Sequence, residues 1–361
     1  MSDFLLQPTN ILDSASTRMD ELRVSAGKAD AYVEAGPGSL GQWDGRMFAV
    51  ALRDHDNAVS TARRNIQRGE KLLNAVAKNL ADAQDRYDTT EQDNTVTVND
   101  IFSQLGSSTS SGASLAQAGS GSEFGSALPG DSIPPAEEFS GIPEWAQMVV
   151  ELGGSLVSPS YWMGKVLEWT IGVNPIDWFV EQFTGDWKGV TKAGDAFSKV
   201  SEYWTAMGSA ITNDCGVLFR GWQGDASDSA QSYFRELIEA HNQQASPLSK
   251  LGAEYESCGK GMYFAAKGIG ALLGTLLDMV AGAAILASAI AVATASGIGA
   301  PAAAAMSTAL LAWLDAILGV WATVLTIQGV TVGAAYTFVG LVGGYLGTIH
   351  PVEQVEMPSE G

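Results

Sequence analysis

The residues able to do chemistry are few. The chain carries three histidines, His55, His241 and His350, and two cysteines, Cys215 and Cys258. No histidine neighbours another histidine or a cysteine, so the usual ligand spacing of a zinc site is missing. Two cysteines cannot build a disulfide scaffold at this length. There is no Gly-x-Ser-x-Gly elbow, no phosphate loop and no His-Glu-x-x-His pair. His241 falls on an apolar helical face and reads as a core histidine. No catalytic residue, metal ligand or cofactor is therefore assigned, and the chain is not expected to be an enzyme. What remains is recognition chemistry. In "YDTTE", Tyr87 and Glu91 are four residues apart and share one helical face. An aromatic ring and a carboxylate displayed near a helix end make a compact surface for a partner's pocket. In the plainer reading, Tyr87 closes an apolar stripe and Glu91 is simply solvated. Two Trp-x-Gly triplets, Trp43-Asp44-Gly45 and Trp222-Gln223-Gly224, suit tight turns better than helix interiors.

These motifs need elements to hold them, and composition bounds the choice. The 361 residues suffice for two or three domains. Forty acidic and 20 basic residues give a formal net charge of -20. A nucleic-acid binder needs a concentrated basic face, which is absent, and charge alone would not draw the chain to anionic lipid. The start, "MSDFLLQPTNILDS", has neither a positive leader nor a long apolar run, so no cleaved secretory signal is expected.

Helical periodicity dominates the rest. Met19, Leu22, Ala26 and Val33 predict a helix from Ala15 to about Ala35, stopped by "AGPGSLGQWDG". From Met47 to Glu91 apolar or small residues recur at threes and fours: Val59, Ala62, Ile66, Gly69, Leu73, Val76, Leu80, Ala83 and Tyr87. Such a helix, about 65 Å long at ~1.5 Å per residue, needs a partner to cover its stripe. Residues 103–141 are rich in Ser, Gly and Pro and read as a disordered, flexible linker. Residues 142–185 hold Trp145, Trp162, Trp169 and Trp178 among short helices. These aromatics either pack on neighbouring helices or form a membrane-interface belt. A second stripe follows: Val190, Ala193, Phe197, Val200, Trp204, Met207 and Ile211. After the second Trp turn, with Asp225 as the expected N-cap, the stripe continues with Ala230, Phe234, Leu237, His241, Leu248, Leu251 and Tyr255, where Pro247 is a candidate kink. Cys215 lies about two turns before that Trp turn and Cys258 about 50 Å beyond it at helical rise. Free thiols or an intermolecular bond are expected.

Two helices joined by Trp-x-Gly, with Tyr-x-x-x-Glu after the second apolar stripe, resemble the WXG (ESAT-6-like) family of type VII secretion substrates. The resemblance covers residues 14–94 and 186–258. It implies export by a membrane ATPase machine without a cleaved signal peptide. It places an export signal at Tyr87 and Glu91 and a hairpin-turn motif at Trp43, Gly45, Trp222 and Gly224. The second hairpin departs from the pattern, because four residues after Tyr255 stands Gly259. Trp222 would then be structural, or part of a two-part recognition surface. Implied partners are a type VII secretion ATPase or export chaperone, and a second copy or another helical protein.

Residues 261–350 are almost wholly apolar, with Asp278 and Asp315 as the acids inside. The segments are long enough to span a bilayer, and their many Ala and Gly residues allow close helix contact. Three readings stay open: a hairpin that inserts into membrane lipid after export, the buried centre of a soluble bundle, or a permanent anchor. A carboxylate at bilayer depth costs about 2.5–3.5 kcal/mol, which weighs against simple anchoring. Residues 351–361 form an acidic tail.

The expectation is thus an all-α protein. Residues 1–102 form one hairpin and 186–260 another, joined through the linker and the Trp-rich segment, with a hydrophobic helical region at 261–350. Its expected role is as an exported, secreted or envelope-associated substrate acting by self-assembly or membrane insertion. The alternative is a soluble structural or chaperone-like partner of another secreted protein, with the hydrophobic region as bundle core.

Overall fold

A computed structural model describes residues 5–6, 9–37, 40, 45–104, 124–142, 167–168, 170–295 and 300–349. The chain is all-α apart from one two-residue strand pair. Helix α1 spans Ile11–Ala35, α2 Arg46–Ala51 and α3 His55–Gln104; α4 spans Pro175–Phe183 and α5 Trp187–Gly221; α6 spans Asp225–Ala295 and α7 Ala300–Thr348. Strand β1, Leu5–Leu6, pairs antiparallel with β2, Trp222–Gln223.

The stripes become the core. On α5, Val190, Ala193, Phe197, Val200, Trp204, Met207 and Ile211 are all buried. Facing them on α6 are Phe234, Leu237, His241, Leu248, Leu251 and Tyr255. Helix α1 buries Met19, Leu22, Ala26 and Val33 and pairs with α3, where Ala62, Ile66, Leu73, Val76 and Leu80 are buried. The two pairs are joined by polar contacts deep in the bundle. Arg18 on α1 donates through Nε to Asp214 Oδ2 on α5 at 2.9 Å, with only 3% and 1% of the two side chains exposed. Asn65 on α3 donates to Gln244 on α6 at 2.8 Å. His55, the first residue of α3, donates from Nε2 to Pro37 O at 2.7 Å and accepts from the Tyr255 hydroxyl at Nδ1, 3.0 Å away.

Four expectations change. The helix expected over 47–91 is split: α2 ends at Ala51, and a turn at Leu52–Asp54 precedes α3. That turn seats His55 between Pro37 and Tyr255. Helix α6 runs unbroken through Pro247 and across the 260/261 boundary, so the second hairpin and the apolar region share one helix. Helix α7 likewise continues through Gln328-Gly329. The last change concerns the stretch read as linker. Residues 105–123 lie outside the described residues, but 124–142 are an extended strap laid against α1 and α5. Gly125 N donates to Asp214 Oδ1 at 2.9 Å, and Ala127 O accepts from Arg18 Nη2 at 2.5 Å. Gly130 N donates to Ser25 Oγ at 2.7 Å, and Glu138 pairs with Lys188 at 2.7 Å. A Ser/Gly/Pro-rich composition lacks side chains to bury, but its backbone donors and acceptors remain free to bind, and here buried charges bind them. In the Trp-rich segment, Trp145, Trp162 and Trp169 lie outside the described residues, as do His350 and the acidic tail.

Candidate functional site

The recognition motifs meet at one end of the bundle. Helix α5 ends at Gly221, and β2 carries the chain out as Trp222–Gln223, held against Leu5–Leu6. Gly224 then takes φ +117°, a backbone region that favours glycine, and α6 begins at the next residue. Ser227 Oγ donates to Trp222 O at 2.7 Å and closes the turn. The Trp222 ring is 5% exposed. It stacks on Phe219 at 6.0 Å between centroids with an interplanar angle of 19°, and Phe219 meets Phe234 edge-on at 5.6 Å.

The Trp222 indole N–H donates to the Tyr87 hydroxyl at 3.3 Å. Tyr87 is half-buried on α3. One turn earlier, the buried Gln84 donates through Nε2 to Thr9 O at 2.7 Å and to Asp88 Oδ1 at 2.9 Å. Chain entry, late α3 and the α5–α6 turn therefore share one corner. Glu91 stands on α3 one turn beyond Tyr87; its side chain lies outside the described residues. An aromatic pair fixed by a hydrogen bond, with the polar face of α3 beside it, presents a rigid surface to a partner.

The first Trp turn is only partly described. Trp43 lies outside the described residues. Gly45 precedes α2 in extended conformation, and a methyl built on it would lie 1.8 Å from Thr184 O at the end of α4. Glycine is needed there because two backbones touch.

Asp278 on α6 and Asp315 on α7 are both exposed. They stand far from the Trp222 corner in sequence, on the long apolar hairpin. Its lower half packs on the bundle: Tyr255 meets Phe338 edge-on at 5.0 Å, and Trp178 on α4 meets Trp321 at 5.2 Å. Between α6 and α7 in that half runs an apolar groove of about 690 Å³, lined by Cys258, Met262, Ile327, Thr331 and Phe338 among others. The upper half is bare. From Ala284 to Ala295 and from Pro301 to Ala316 no side chain is buried, and Ile285, Val292 and Leu311 are 73%, 70% and 64% exposed. By length and composition, Ala226–Ala295 and Pro301–Thr348 are long and apolar enough to cross a membrane.

Cys215 and Cys258 are free thiols. Burial, with Asp214 adjacent, pushes the Cys215 thiol up to about 12, which leaves it unreactive. His241 donates from Nδ1 to Leu237 O at 2.8 Å and packs edge-on against Trp204; burial pushes its pKa down to about 4. It sits in the core. The ion pair Arg18–Asp214 was missed by a reading of apolar stripes. Its signal was present, since both residues occupy stripe positions, Arg18 between Ala15 and Leu22 and Asp214 between Ile211 and Leu218.

No protein-family model, curated protein or solved structure matches this chain.

Proposed function

We propose that the chain is a substrate of a type VII (ESX-like) export machine and acts by placing its apolar α6–α7 hairpin in a membrane. The bare upper half of that hairpin carries the membrane part of this reading. Consecutive residues on both helices leave every face of each helix uncovered, whereas a core helix or a protein-docking helix exposes one stripe. Soluble monomers rarely leave an apolar surface of that extent in water. The export part is supported by the corner where Trp222 and Tyr87 meet. It joins the turn motif of one hairpin to the tyrosine motif of the other, so a translocase or export chaperone would meet both at once. The acidic body, carrying most of the net charge, stays in water.

The lower half of the hairpin, packed on α4, α5 and the bundle core, favours a second reading for that half alone: a soluble helical partner with this region as its centre. Purified protein added to dye-loaded phosphatidylcholine vesicles separates the two. Dye release with a rise in Trp313 fluorescence is expected for insertion; intact vesicles over a wide protein range would leave the soluble-partner reading. Export is tested by comparing Tyr87→Phe/Glu91→Gln with native protein in a secreting host. Full secretion of that double variant would remove the assigned signal.

A further inference from the structure

The register of the hairpin shows where its charges sit. A methyl built on Gly282 would lie 2.6 Å from the Trp313 ring, so these two residues face each other across α6 and α7. Asp278 lies four residues before Gly282 and Asp315 two residues after Trp313, both towards the body. At ~1.5 Å per residue the two acids are level to about 3 Å. Beyond them neither helix carries a charge: 279–295 on α6 and 300–314 on α7 are uncharged. These runs measure about 26 and 22 Å. Trp313, 37% exposed, sits just above the acids, at the level where tryptophan favours the boundary between water and lipid.

We infer that Asp278 and Asp315 form a depth stop: the hairpin enters a bilayer from one face, halts with both carboxylates at the headgroups, and keeps its tip short of the far side. This rests on the insertion reading above. The occupant of the bare surface is lipid hydrocarbon, because the surface encircles both helices and ends at a level pair of charges. About 26 Å of uncharged helix cannot cross the roughly 40–45 Å between the two aqueous faces of a membrane. Both helix ends and the acidic body therefore stay on the side of entry. Removing the acids changes the arithmetic. The next charge down α6 is Lys267, and α7 has none below Asp315 as far as Thr348. The uncharged run on α6 would then reach about 42 Å, enough to cross.

The test uses full-length protein with Cys215→Ala and Cys258→Ala, a single cysteine introduced as Ala295→Cys, and an environment-sensitive fluorophore on that thiol. Phosphatidylcholine vesicles are supplied with iodide either outside or trapped within. With the acids intact, binding should reduce quenching by external iodide several-fold, while trapped iodide leaves emission unchanged. In Asp278→Asn/Asp315→Asn, trapped iodide should quench. Two results overturn the depth stop while leaving insertion standing: quenching by trapped iodide with the acids intact, or no change in the double variant. A label that stays open to external iodide throughout would instead defeat insertion itself, and the depth stop with it. Both acids are exposed, so the amide variants keep the fold, which helical circular dichroism would verify.

Discussion

Trp222 and Tyr87 stand 135 residues apart in the chain, yet the indole N–H of one donates to the hydroxyl of the other at 3.3 Å. The bond couples two helical hairpins at the corner where the chain enters. Tyr87→Phe removes the acceptor and leaves an indole donor in a ring that is nearly buried. A loss of about 0.5–1.5 kcal/mol is expected in urea denaturation. Trp222→Ala should cost about 3–5 kcal/mol, because the stacked ring is removed too. Measured together in a double-mutant cycle, the two should be non-additive by at least about 0.5 kcal/mol. Additive losses would mean that the two motifs do not act as one surface.

Arg18 and Asp214 give a larger effect. Arg18→Met strands a buried carboxylate whose partner is gone, and a loss of about 3–5 kcal/mol is expected. Arg18→Met/Asp214→Leu should recover part of it, since no charge is then left buried. The double variant still frees Gly125 N and Ala127 O, which these two side chains hold. Limited proteolysis should therefore cut within 124–142 faster than in native protein, even where thermal stability is restored. Equal cutting rates would show that the strap is held by its other contacts.

What the sequence made legible is what side-chain periodicity encodes. The α5 stripe was readable residue by residue, because a helix buries the face that is apolar at threes and fours. The strap at 124–142 was not, since its attachments are backbone groups meeting Asp214, Arg18 and Ser25, and composition is blind to them. The continuity of α6 through Pro247 was also hidden; packing against α5 holds the helix through a residue that would break it in isolation. At the candidate site, Tyr87 and Trp222 were each visible as motifs. Their meeting was not, because it depends on how two hairpins dock, and no local pattern records that.

Gly45 should tolerate no side chain. A methyl there would sit 1.8 Å from Thr184 O, and both atoms belong to backbone, so α2 and the end of α4 must part. Gly45→Ala is expected to lower stability by about 1–3 kcal/mol. The mid-α6 core should be untouched, so hydrogen exchange should quicken around residues 46–51 and 175–184 and stay slow near Leu237. Unchanged exchange at both places would contradict the close approach.

His241 sets the acid limit of the fold. Its imidazole is buried among Trp204, Leu237 and the backbone of Gly69, and desolvation holds its pKa near 4, against about 6.5 when unfolded. The unfolded chain therefore binds a proton that the folded chain refuses across that interval. Stability from the neutral ring is fully present above pH 6.5. It declines as pH falls below 6.5, at about 1.4 kcal/mol per pH unit, and is exhausted near pH 4, for a total of about 3 kcal/mol. His55 adds to the same trend, since burial lowers its pKa as well. His241→Gln carries no titrating ring at that position. Its unfolding free energy should be lower at pH 7 but flatter between pH 6.5 and 4 than that of native protein. Parallel curves for the two proteins would show that the ring takes up a proton in the folded state as readily as in the unfolded one.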